Sequence, residues 1–119
     1  MPTLKALVVA LFLSTGPACA GDLAGTWREL GGEAAVRIAP CRDDVATLCV
    51  VLVEPQRRGG ERIAVSGLRA AGENRWRGRY VLDGQPLAAS ITLTASDQAD
   101  MTACRWALCK TVRYGRSAP

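Results

Sequence analysis

The chain has no histidine and one phenylalanine, Phe12, among 119 residues. Without an imidazole it cannot build a histidine base, a Ser-His nucleophile pair or a histidine-ligated metal site. Lysine is nearly as scarce, with only Lys5 and Lys110 present. Aromatic residues are 5 % of the chain, so a core must rest on Trp27, Trp76, Trp106, Tyr80 and the aliphatic positions. A domain of about 100 residues buries only some 60–70 % of its unfolded surface, and alanine adds little to that. No apolar run approaches the roughly 18 residues of a membrane-spanning helix. A Gly-rich phosphate loop is also missing, because Gly31-Gly32 and Gly59-Gly60 follow the logic of hairpin turns.

What is present begins with an export signal. Met1–Lys5 is a short basic start, Ala6–Leu13 is apolar, and Ala18-Cys19-Ala20 is a small-x-small cleavage site. The expectation is a signal peptide over 1–20 and a single domain over 21–119, periplasmic or secreted. Losing Lys5 lowers the formal net charge of +4 by one. A lipid-bearing Cys19 would call for an aliphatic residue three places earlier; Gly16 stands there, which argues against a lipoprotein.

The remaining cysteines, Cys41, Cys49, Cys104 and Cys109, form an even set. In an oxidising compartment they pair as disulfides, with three connectivities open. The local pairs Cys41–Cys49 and Cys104–Cys109 are preferred, since each closes a short loop between strand-like segments. On the chain-entropy model each contributes roughly 2–3 kcal/mol. A thiolate zinc site normally spaces paired cysteines by two to four residues; the gaps here are seven and four, and the seven between Cys41 and Cys49 points away from a metal. No Cys-x-x-Cys redox motif is present.

Hydrophobic alternation has period two rather than a helical period. Leu87, Ala89, Ile91 and Leu93 alternate with Ala88, Ser90, Thr92 and Thr94. Trp76, Gly78 and Tyr80 alternate with Arg75, Arg77 and Arg79, and Asp83-Gly84 between the two runs reads as a hairpin turn. Val36 and Ile38 flank Arg37 in a strand closed by Pro40. Leu48–Glu54 is a continuous apolar run, expected to be buried on both faces. Thr102–Trp106 and Leu108–Tyr114 read as a final hairpin with Cys104 and Cys109 at its closed end. The tail Gly115–Pro119 is expected to be loose. Seven or eight short strands predict an all-β fold, a small antiparallel barrel or sandwich. The expected core is Trp27, Val36, Ile38, Val51, Val53, Trp76, Ile91 and Leu93.

Several segments together carry a resemblance. Gly25-Thr26-Trp27 lies near the mature start, followed by Arg37-Ile38-Ala39-Pro40-Cys41 and Leu48-Cys49. Ser66-Gly67-Leu68, Trp76-Arg77-Gly78, Asp83-Gly84, Cys104 and Leu108-Cys109 complete the order. The chain resembles the small exported bacterial family catalogued as domain of unknown function 2147. Val50 stands where that family usually has glycine, no aromatic follows Asp83-Gly84, and Tyr114 replaces a final tryptophan. The resemblance implies a lipocalin-like β-barrel and supplies no catalytic residues.

For chemistry, little is available. Asp43-Asp44 falls inside the Cys41–Cys49 loop, where adjacent acids read as a solvated turn rather than a converging acid/base pair. Glu29 and Glu33 carry no stronger signal, and no cofactor is implied. Two non-enzymatic readings therefore lead. One is a periplasmic barrel binding a small apolar or amphipathic ligand, with Trp27, Trp76 and Tyr80 near its interior. The other is an envelope interaction protein whose arginine face, Arg75, Arg77 and Arg79, meets an anionic partner such as a phosphorylated glycolipid. An enzyme with an unrecognised site ranks last. A nucleic-acid partner is not expected, because the net charge is modest and no aromatic-plus-basic platform is evident.

Overall fold

The structure is a computed structural model that describes residues 23–55, 62–81, 84 and 87–117. The expected leader 1–20, Gly59-Gly60 and Asp83 lie outside the described residues. Eight antiparallel strands run in chain order: β1 Gly25–Glu29, β2 Ala35–Pro40, β3 Leu48–Glu54, β4 Arg62–Ala70, β5 Arg75–Tyr80, β6 Leu87–Ala95, β7 Gln98–Arg105 and β8 Leu108–Arg116. Each pairs with the next, and β8 returns to β1, closing an all-β barrel without edges.

The interior follows from alternation. Trp27, Val36, Ile38, Leu48, Val50, Val65, Leu68, Trp76, Ala89, Ile91, Ala99 and Tyr114 form one buried cluster. On β6 the expected face is correct, with Ile91 buried and Thr92 only half-buried. Leu93 and Tyr80 pack against the cluster from its margin. On β3 the expected face is wrong. Leu48 and Val50 point inward and Leu52 packs against the core, while Val51 and Val53 are half-buried on the outer side. The run is therefore not covered on both faces along its whole length.

Strand β4 bends through two irregularities. Val50 pairs with Val65 but Val51 pairs with Ile63, which makes Ala64 an extra residue. A second shift falls between Ser66 and Arg69, where Gly67 takes a left-handed φ of 66°. Across from it, a Cβ on Gly78 would lie 2.7 Å from the Ser66 backbone oxygen. The Ser66-Gly67-Leu68 and Trp76-Arg77-Gly78 segments thus meet at one bulge, and glycine at 78 lets the two backbones approach.

One barrel end is sealed by Trp27. Its Nε1 donates to the Leu23 carbonyl at 3.0 Å, and the Arg116 guanidinium stacks over its ring at 4.3 Å. Arg116 also donates to the carbonyls of Ala24 and Ser96. A side chain at Gly25 would meet Arg116 Nη1 at 3.1 Å, so Gly25-Thr26-Trp27 supplies both the ring and the space beside it. The expectation of a loose tail from Gly115 is corrected here. Gly115 and Arg116 belong to β8, and the Ser117 N–H donates to the Thr26 carbonyl.

Two disulfides are present, Cys41–Cys49 and Cys104–Cys109. They fit an extracellular or periplasmic protein. Among the described residues no helix is long and apolar enough to cross a membrane.

Candidate functional site

Among the described residues, the interior around Trp27 is closely packed. The gap between Trp27, Val50, Ile91, Met101 and Tyr114 is about 10 Å³, room for a single water. Trp27 and Trp76 are core residues, each 1 % exposed. Of the three residues expected near an interior ligand, Trp27 and Trp76 are buried in the core, with Trp27 bordering the small gap, and Tyr80 is half-buried at its margin.

The outer surface is less uniform. On β5, Arg75, Arg77 and Arg79 are all exposed, while Trp76 is buried and Tyr80 half-buried, as strand alternation requires. Among the described residues no carboxylate pairs with any of the three. Arg69 lies directly across from Arg77 and is neutralised by Asp44 at 3.2 Å. The opposite neighbours on β6 are Thr92, Ser90 and Ala88, small and uncharged. Three adjacent cations with no counter-ion repel one another, and an anion would relieve that repulsion. Beside them Gly67 contributes no side chain. A hollow of about 520 Å³ opens there between Ser66, Arg77 and Arg79.

Ser66 also borders a second concavity of about 600 Å³ on the outside of β2, β3 and β4. Val51, Ile63 and Ala39 supply its apolar wall, and Arg37, Arg42 and Asp43 its polar rim. The register explains the wall, since Arg37, Val51 and Ile63 are consecutive cross-strand partners. The outward turn of Val51 that overturns the expected core is thus what makes this cleft apolar. Sequence reasoning missed Val51, Ile63 and Ser66 as surface-site residues; no spacing signal marks an outward valine in an all-apolar run.

The acidic pair does not converge. Asp44 organises its own turn, accepting from the Ala46 N–H at 3.2 Å and from Arg69, while its carbonyl takes the Thr47 hydroxyl at 2.8 Å. Asp43 lies on the cleft rim. Glu29 accepts from the Ala34 N–H within the β1–β2 turn. Among the described residues no group of three or more His, Cys, Asp or Glu could hold a metal ion. Set against family models, curated proteins and solved structures, the chain matches none.

Proposed function

We propose that this is a non-enzymatic β-barrel of the cell envelope that binds an anionic amphiphile on its outer wall. The observation that carries this reading is Ser66, which borders both the arginine hollow and the apolar cleft. One ligand can therefore lay an apolar chain over Val51 and Ile63 and set its phosphate or carboxylate between Arg77 and Arg79. The cleft has the volume range of small-molecule sites, and arginine's planar fork suits the head group. A phosphorylated glycolipid has this chemistry. A ligand inside the barrel is the weaker reading, since Trp27 and Trp76 are buried in the core cluster and the gap beside Trp27 is small. The resemblance to the domain of unknown function 2147 family is compatible with either reading and is itself part of the proposal.

Dodecyl phosphate below its micelle concentration is a suitable probe. It should bind, whereas inorganic phosphate and a neutral dodecyl detergent should bind at least roughly tenfold more weakly, each lacking one half of the interaction. Arg77→Gln/Arg79→Gln should weaken binding and flatten its salt dependence, while Ile63→Ser should weaken it without changing that dependence. Calorimetry showing equal affinity for the neutral detergent would sink the arginine assignment.

A further inference from the structure

The β7–β8 hairpin ends in a two-residue connection, Trp106-Ala107, at the barrel end opposite the Trp27 seal. Trp106 is 95 % exposed and Leu108 78 % exposed. Trp106 also holds a φ of 54°, a conformation that tight turns normally assign to glycine or asparagine. A bulky aromatic is thus kept in water and in an unfavourable backbone region, at a position where folding gains nothing from it. Strain of this kind points to a use outside the fold.

The tip is held out rigidly. Cys104 and Cys109 face each other across the two strands and are joined, with Cα atoms 4.0 Å apart. On the barrel side, β1 pairs with β8 only from Tyr114 onward. Residues Leu108–Val112 therefore take their strand partner from β7 alone, and the hairpin projects past the β1 rim. Arg105 and Lys110 flank the apolar pair, both exposed. After Asp100 the sequence contains no acidic residue at all.

We propose that this tip is a bilayer-contact wedge. Trp106 and Leu108 enter the interfacial region of an anionic lipid surface while Arg105 and Lys110 meet its phosphates. Tryptophan favours that boundary because its ring is apolar and its N–H polar. Basic residues beside it gain from the negative surface potential. The disulfide removes the ordering cost that a flexible loop would incur on insertion. The inference stands on the tip alone and does not need the amphiphile site.

The test uses the oxidised protein with vesicles of phosphatidylglycerol mixed with phosphatidylcholine, and of phosphatidylcholine alone. The protein should co-sediment with the anionic vesicles, and acrylamide should then quench its exposed tryptophan fluorescence less. Trp106→Gly/Leu108→Ser should bind these vesicles roughly tenfold more weakly. The same double variant should keep an unfolding midpoint close to that of the parent, since glycine accepts the turn's φ and Leu108 is exposed; loss of binding then cannot be loss of fold. Dodecyl phosphate binding should be unchanged in the tip variant, which separates failure of this inference from failure of the amphiphile site. Parent protein left in the supernatant, or equal partition of the tip variant, would overturn the wedge. So would shielding of Trp106 by a protein partner with no response to lipid.

Discussion

At the residue scale, the two core tryptophans differ in one bond. Trp27 Nε1 donates to the Leu23 carbonyl, whereas Trp76 Nε1 is buried with no partner among the described residues. An unsatisfied buried donor costs about 1–3 kcal/mol, and removing the donor removes that cost. Trp76→Phe should therefore lose packing but regain the desolvation penalty, for a net change of about 1 kcal/mol or less. Trp27→Phe gives up a satisfied hydrogen bond and the wider ring under Arg116, and should cost about 2–3 kcal/mol. Urea unfolding of the two variants checks the order; an equal cost would mean that Trp76 Nε1 has a partner after all. Composition marked Trp27, Trp76 and Trp106 alike as core, and only the first two are; Trp106 is 95 % exposed because it falls in the β7–β8 turn. Which of the two buried rings was hydrogen-bonded depended on where Leu23 lands, and no local pattern carries that.

At the element scale, the two disulfides close loops of similar length, with sequence separations of 8 and 5. Chain entropy alone gives each roughly 2–3 kcal/mol. Their surroundings differ. Cys41 and Cys49 are 2 % and 5 % exposed, while Cys104 is half-buried and Cys109 exposed. Cys41→Ala/Cys49→Ala should thus add lost packing to the entropic term and exceed the cost of Cys104→Ala/Cys109→Ala by about 1 kcal/mol or more. Chemical denaturation of the two double variants measures the difference, and the reverse order would mean that the hairpin staple carries the fold. The pairing was legible because each pair brackets a turn between strands. The face of β6 was legible for a similar reason: Ile91 and Leu93 alternate with threonines, so parity is written in polarity. On β3 every candidate is apolar, and the outward turn of Val51 and Val53 left no trace. The bulges on β4 were equally hidden, although Gly67 and Gly78 stood out as motif positions. Strand-by-strand alternation finds a core but not a register shift.

For the whole molecule, closure depends on the short β1–β8 seam, in which Trp27, Arg28 and Glu29 pair with Arg116, Gly115 and Tyr114. Gly115 and Arg116, the first two residues of the tail expected to be loose, are therefore the end of the strand that completes the barrel, a role visible only once the sheet is seen to close. Tyr114 sits in this seam, 8 % exposed, directly across from Glu29. Burial pushes its phenol up to about 12 from 10.0, with the nearby Glu29 and Tyr80 adding to the rise. Below pH 10 the phenol is protonated in both the folded and the unfolded chain, and the seam keeps its full stability. Between pH 10 and about 12 the unfolded chain ionises first, so unfolding releases a proton and stability falls as pH rises. One such proton contributes at most about 1.4 kcal/mol per pH unit. Unfolding free energies from urea titrations at about pH 9 and about pH 11.5 should show this decline in the parent. In Tyr114→Phe it should be shallower by the Tyr114 share, because phenylalanine keeps the ring in the core and carries no proton to lose. An identical slope in the two proteins would place the alkaline weakness elsewhere than the seam.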